Sequence, residues 1–62
     1  MEKSEYISSK LNIPTSKIDS ALDLFNQGAT VPFVARYRRE VTGGLDENQL
    51  RGIESLGSKF DE

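Results

Sequence analysis

The stretch from Gly28 to Glu40 reads GATVPFVARYRRE, and it can be interpreted as a helix or as a strand. Thr30 can cap a helix, because its side-chain oxygen accepts hydrogen bonds from first-turn amides. Pro32 is tolerated in a first turn, where its missing amide hydrogen has no helical partner. A β-strand is the alternative, because TVPFV is rich in β-branched and aromatic residues. Pro32 would interrupt a strand ladder and strict alternation is absent, so we predict a helix that begins after Thr30.

A second helix is predicted before this stretch. Its apolar residues recur at the spacing of one helical face: Ile18, Ala21, Leu22 and Phe25. Ser16 and Asp19 have the spacing of a capping box, which predicts Ser16 as the first cap. Gly28 lies just past the end of this helix, where glycine adopts the left-handed conformation at low cost. Joined through Gly28 and Ala29, the two helices have the outline of a helix-turn-helix.

The two ends of the chain add two more predicted helices. Residues 2–11 form a short amphipathic helix that ends before Pro14, because proline pushes the preceding residue out of the helical region. Residues 42–44, TGG, are typical of a turn. Asp46 then caps a last helix, with Gln49 three residues on. The apolar face of that helix consists of Leu50, Ile53, Leu56 and Phe60. The predicted fold is therefore all-α, a small bundle of about four short helices with a helix-turn-helix-like unit.

The apolar faces predict which side chains form the core. The most buried residues are expected to be Ile18, Leu22, Phe25, Val34, Ile53 and Leu56. Gly52 and Gly57 lie inside the last helix, where each costs up to about 1 kcal/mol relative to alanine. Two interpretations stay open for them: a close approach by another helix, or a helix end that frays near Gly57.

The composition narrows the function classes. Residues 1–62 are one domain at most, and they contain no cysteine and no histidine. Disulfides, the usual zinc ligand sets and the commonest acid–base and nucleophilic groups are therefore excluded. The carboxylates follow no calcium-loop spacing. We expect no enzyme activity, no cofactor and no metal.

The charge and hydropathy of the chain bear on its partners and location. The net charge of −2 argues against a free-standing nucleic-acid binder, which is usually basic. No apolar run approaches the roughly 20 residues of a membrane span. The first residues, MEKSEY, carry acids and lack the apolar centre of a secretory signal. We expect a cytoplasmic chain that makes no membrane contact.

The candidate site residues are Arg36, Tyr37, Arg38 and Arg39. Four successive helical positions span about 400°, so these side chains are expected to point around the whole helix, with at least one arginine facing inward. Three interpretations stay open. The arginines can be a charged helix end that satisfies terminal carbonyls and the helix dipole, with one arginine paired with a carboxylate and tying two helices together. Arg38 and Arg39 can contact a nucleic-acid backbone while Tyr37 stacks on a base. The run can also dock onto another domain or protein, because arginine and tyrosine are enriched at interface hot spots.

A longer run of residues resembles a known family. GATVPFVARYRRE, from Gly28 to Glu40, and TGGLDE, from Thr42 to Glu47, closely resemble the N-terminal domain of the Tex family. These are bacterial transcription accessory proteins that contain an S1 domain. Every fixed element of the family pattern is present, and the resemblance covers roughly residues 7 to 56.

The resemblance implies a function that composition does not. Tex-like proteins are implied to be several hundred residues long, with a helical N-terminal region, an RNase H-like domain, a helix-hairpin-helix and a C-terminal S1 RNA-binding domain. They are implied to bind nucleic acid (RNA or DNA), to work with the transcription machinery and to resemble a eukaryotic transcription elongation factor. The present chain corresponds to the first helical piece, so nucleic-acid binding is expected mainly from domains absent here. The alternative is a protein-interaction or scaffolding module that docks onto other domains and binds no nucleic acid itself.

Overall fold

Four α-helices make up the fold in a computed structural model that describes residues 2–61. They are α1 (Lys3–Leu11), α2 (Thr15–Asn26), α3 (Val31–Tyr37) and α4 (Glu47–Phe60). No strand occurs among these residues, so the predicted all-α class and helix number are confirmed. None of the four helices has the length and apolar character needed to cross a membrane.

The link between α1 and α2 forms where the sequence predicts a break. Asn12 adopts a left-handed conformation with φ 58°, and its amide donates to the carbonyl of Ser8 at 2.8 Å. The hydroxyl of Ser8 donates to the carbonyl of Ile13 at 2.7 Å. These bonds turn the chain sharply, and the side chain of Ile13 enters the core with 5% exposure.

The predicted start of α2 is wrong. The helix begins at Thr15, and Pro14 occupies the cap position without a side-chain hydrogen bond. Ser16 lies inside the first turn, where its carbonyl accepts from the hydroxyl of Ser20 at 3.1 Å. The physical reason is Pro14, whose φ of −56° is already suited to a helix start. Its carbonyl accepts the amide of Ile18 at 3.2 Å, which is the first hydrogen bond of the helix and sets the start before Ser16.

Residues 27–30 connect α2 to α3 and complete the predicted helix-turn-helix-like unit. Gly28 has φ 94°, and its amide donates to the carbonyl of Phe25 at 3.0 Å. The amide of Ala29 reaches back to the carbonyl of Leu24 at 3.1 Å, which completes a Schellman motif. The hydroxyl oxygen of Thr30 then accepts from the amide of Phe33 at 3.3 Å. The helix prediction for this stretch is confirmed.

The core lies around α4, which packs against the other three helices. The predicted core residues Ile18, Val34 and Ile53 are fully buried at 0% exposure. The prediction is wrong for three others, which are only partly buried: Leu22, Phe25 and Leu56. On α2 the buried stripe is Ile18, Ala21 and Leu24. The helix is therefore rotated about its axis relative to the prediction, and Leu22 and Phe25 lie at the edge of the core.

Gly52 and Gly57 are sites of close packing. A β-carbon at Gly52 would lie 3.2 Å from Cδ1 of Leu11 on α1. One at Gly57 would lie 3.1 Å from Cε of Lys3 on α1 and 3.5 Å from Cδ2 of Leu22 on α2. The helix continues past Gly57 to Phe60, so the close-approach interpretation describes both glycines and the frayed end does not.

Candidate docking or nucleic-acid surface

The end of α3 decides how the candidate residues are displayed. The helix stops at Tyr37, and Arg38 is the C-cap residue, with φ −130° and ψ 28°. Arg39 lies in the turn that follows. The prediction that all four residues radiate around one helix is therefore wrong, because only Arg36 and Tyr37 have helical positions.

A buried threonine that the sequence analysis did not single out anchors this turn. Thr42 has 0% exposure, and its hydroxyl donates to the carbonyl of Arg39 at 3.3 Å. Its amide donates to the carbonyl of Arg38 at 3.2 Å, and the amide of Gly44 donates to the carbonyl of Arg39 at 2.8 Å. Leu45, at 3% exposure, packs beside it in the core. No periodic pattern marks Thr42, and the only local signal is the turn sequence TGG.

The three arginines of the run are all exposed. The prediction that one of them faces inward and pairs with a carboxylate is wrong, because Val31 and Val34 occupy the buried side of α3. Among residues 2–61, ion pairs form between Lys3 and Asp61 and between Arg51 and Glu47, and neither includes an arginine of the run.

The side chain of Arg38 makes two contacts within the domain. One of its guanidinium nitrogens donates to the carbonyl of Tyr37 at 3.0 Å, so it satisfies a carbonyl at the helix end as one interpretation expects. The guanidinium also lies 5.1 Å from the ring centroid of Phe33, within cation–π range. Arg36 and Arg39 make no hydrogen bond through their side chains within residues 2–61. They are therefore the two arginines of the run whose side-chain donors are all available to an outside group.

Two exposed aromatic rings, those of Phe33 and Tyr37, lie on the same helix as Arg36. Phe33 is 41% exposed and Tyr37 is 60% exposed. Their ring centroids are 5.3 Å apart and the ring planes are inclined at 48°. The i, i+4 spacing of Phe33 and Tyr37 is visible in the sequence, but the contact of Arg38 with Phe33 depends on the end of the helix. We call the exposed set Phe33, Arg36, Tyr37, Arg38 and Arg39 the arginine–aromatic surface.

An open groove of about 650 Å³ runs beside this surface. Its lining consists of Pro32, Phe33, Ala35, Arg36, Tyr37, Arg39 and Glu47. The structure therefore brings together three of the four predicted site residues in one groove. Arg38 lies on a second groove of about 350 Å³ with Phe33 and the α2–α3 connection, so Phe33 separates the two.

A third groove, between α2 and α4, has the opposite charge. It has a volume of about 480 Å³, and its charged lining residues are Lys3, Asp19, Asp23, Glu54 and Asp61. Lys3 is paired with Asp61 at 2.7 Å. No cluster of three or more acidic side chains within residues 2–61 is arranged to hold a metal ion. The net charge of −2 thus hides a division between an acidic groove and the arginine–aromatic surface.

Comparisons with known proteins identify the family. A model described as the Tex-like protein N-terminal domain matches residues 1–62. The transcriptional accessory protein Tex of Neisseria gonorrhoeae is 51% identical over 53 residues, which are 86% of this chain and 7% of that protein. Protein tex of Bordetella pertussis is 48% identical over 48 residues, 77% of this chain and 6% of that protein. The human S1 RNA-binding domain-containing protein 1 is 34% identical over 50 residues, 81% of this chain and 5% of that protein.

No solved structure matches the chain. The chain spans only a small share of each relative, between 5% and 7% in these three. The family match, by contrast, extends over the whole chain and confirms the resemblance read from the sequence. These 62 residues belong to the Tex-like protein N-terminal domain family, whose relatives include transcriptional accessory proteins.

Proposed function

We propose that this chain is the N-terminal helical module of a cytoplasmic transcription accessory protein, and that the whole protein binds nucleic acid mainly through parts outside these 62 residues. Two relatives support this by their names, one as a transcriptional accessory protein and one as an S1 RNA-binding domain-containing protein. The proposal includes no catalytic step and no cofactor.

The observation that carries the proposal is the small number of cations available to phosphate groups. The arginine–aromatic surface offers three exposed arginines, and one of them, Arg38, is already engaged with Phe33 and a backbone carbonyl. Each phosphate neutralised on duplex DNA contributes about −0.9 to the slope of log affinity against log salt. Three arginines therefore give a slope no steeper than about −2.7. The acidic groove adds repulsion toward a polyanion.

The test is a titration of the chain with fluorescein-labelled single-stranded and duplex RNA and DNA at about 50 and 200 mM salt. We expect dissociation constants near the weak end of non-specific binding, about 10⁻⁴ M, with a slope no steeper than about −3. A submicromolar constant at physiological salt would overturn the proposal if replacing all three arginines with glutamine abolished it. Lys10→Gln with Lys59→Gln is the control, because it removes exposed charges outside the surface.

A second candidate function is docking onto another domain or onto a protein of the transcription machinery. The specific observation in its favour is the exposure of two aromatic rings beside arginines that make no ion pair within residues 2–61. Arginine and tyrosine are enriched among residues that dominate interface energetics. A docking surface predicts that Arg36→Gln with Arg39→Gln removes only the weak, salt-dependent RNA binding expected above. A nucleic-acid surface predicts that the same pair removes submicromolar RNA binding.

A further inference from the structure

We propose that the groove lined by Arg36, Tyr37 and Arg39 binds an acidic polypeptide segment that is anchored by an apolar side chain, an inference that rests on the docking role proposed for the arginine–aromatic surface. The occupant is defined by its chemistry. Its carboxylates contact the arginines, and one large apolar side chain contacts the apolar residues of the groove lining.

The groove beside the arginine–aromatic surface has an apolar lining. Pro32, Phe33, Ala35 and Tyr37 line it, and the groove has a volume of about 650 Å³. Phe33 and Tyr37 are two of the four large apolar side chains exposed among the described residues, and their rings contact each other. Contiguous exposed apolar surface of this kind marks interaction sites more often than a single exposed ring does.

The charged residues of the groove lining are two arginines and one glutamate. Arg36 and Arg39 have no carboxylate partner among residues 2–61. Glu47 is the acidic residue of the lining, and Arg51 already holds its carboxylate at 2.6 Å. The groove therefore presents an excess of positive charge. A guanidinium group matches the two oxygens of a carboxylate, which gives such contacts orientation as well as strength.

The backbone at Arg39 is also held in place before a partner binds. The carbonyl of Arg39 accepts hydrogen bonds from the amide of Gly44 at 2.8 Å and from the hydroxyl of Thr42 at 3.3 Å. Thr42 itself is fully buried. The backbone that carries Arg39 is thus fixed to the core, so little backbone conformational entropy is lost when a partner binds.

A polypeptide fits this groove better than a nucleic acid. The two rings are inclined at 48°, and Arg38 already lies over Phe33 at 5.1 Å, so they do not form parallel platforms for successive bases. The acidic groove between α2 and α4 is also unfavourable to a long polyanion that wraps around the domain.

The test is selection from a library of random peptides of about a dozen residues, a length that spans a groove-sized site. The wild-type chain is the bait, and a chain with Arg36→Gln and Arg39→Gln is used to remove peptides that bind elsewhere. Both arginines are exposed, so this variant is expected to keep its helices, which circular dichroism checks. The control bait carries Lys10→Gln and Lys59→Gln, which changes the net charge from −2 by the same two units.

We expect the enriched peptides to combine several carboxylates with one large apolar residue. Their affinity, measured by fluorescence anisotropy, should fall at least about tenfold with Arg36→Gln/Arg39→Gln and with Tyr37→Ala. It should change less than about twofold with the lysine control. Replacing the peptide's apolar residue with serine should weaken binding about as much as the arginine pair does.

Other outcomes overturn the inference, and they separate it from the proposed function. Enriched peptides that lack acids but still need Arg36 and Arg39 would refute the acidic occupant and leave docking in place. The absence of any enriched peptide would refute docking as well. Single-stranded RNA that binds this groove more tightly than every selected peptide would overturn both the acidic occupant and the proposal that nucleic acid binds mainly outside this chain.

Discussion

Replacing Ile53 with alanine should abolish cooperative folding of this chain. Ile53 is fully buried in the middle of α4, the helix that contacts α1, α2 and α3. Its side chain belongs to the buried cluster to which all four helices contribute. Truncating it removes buried methyl and methylene groups and leaves a cavity that four short helices fill poorly.

The expected cost follows from the burial and the chain length. Truncation of a fully buried isoleucine to alanine costs about 2–5 kcal/mol. A native chain has about 0.05–0.15 kcal/mol of stability per residue, which for 62 residues is about 3–9 kcal/mol, and short chains are expected near the lower end. The substitution thus removes most of the stability available.

Urea unfolding followed by far-ultraviolet circular dichroism measures this effect. With a slope near 1 kcal/mol per molar urea, the midpoint should fall by about 2 M or more, or the folded baseline should vanish. Ile53→Val is the matched control, because it removes one methylene group and should cost about 0.5–1.5 kcal/mol. An alanine variant that unfolds at the same urea concentration as the parent would refute the placement of Ile53 at the centre of the core.

Three further predictions concern the helix ends and a packing glycine. Thr30→Ala should cost on the order of 1 kcal/mol by urea unfolding, because the oxygen that accepts from the amide of Phe33 is lost; an unchanged midpoint would show that this cap contributes nothing. Gly28→Ala should cost about 1–2 kcal/mol in the same assay, because φ is 94° there, and a gain in stability would contradict the Schellman geometry. Gly57→Ala should leave the melting temperature unchanged or raise it, because the helix gains up to about 1 kcal/mol. The nearest atom to the new methyl group is the flexible end of Lys3 at 3.1 Å, so a large loss would show that this contact cannot relax.

The helix starts that depend on local chemistry could be read from the sequence. Thr30 caps α3 as predicted, and Asp46 caps α4 through a bond of 2.7 Å from the amide of Gln49 to its carboxylate. Each of these signals involves residues within one turn of each other. The prediction that Ser16 caps α2 was wrong because Pro14, two residues earlier, is a competing signal and occupies the cap position.

The orientation of α2 could not be predicted in the same way. Its sequence offers two overlapping apolar stripes, one through Leu22 and Phe25 and one through Ala21 and Leu24. Both satisfy helical periodicity. Packing against α1 and α4 selects the second stripe, and that selection depends on residues far away in the sequence.

The candidate site was only partly predictable for a related reason. The residues Arg36 to Arg39 were visible as an unusual run, and the family resemblance was specific. Their display depends on where α3 ends, and Thr42 fixes that end from inside the core. A threonine with its methyl group in the core and its hydroxyl on a carbonyl leaves no periodic trace in the sequence.

A residue-resolved NMR titration distinguishes the arginine–aromatic surface, as the contact surface of this module, from the acidic groove. The labelled chain is titrated with an acidic peptide enriched in the selection and, in a separate sample, with single-stranded RNA. We expect the peptide to shift the amide resonances of residues 33–39 and Glu47 and the side-chain resonances of Arg36 and Arg39, while RNA at the same concentration shifts them little. Shifts that instead centre on the acidic groove between α2 and α4, or a stronger response to RNA than to the peptide, would contradict this expectation.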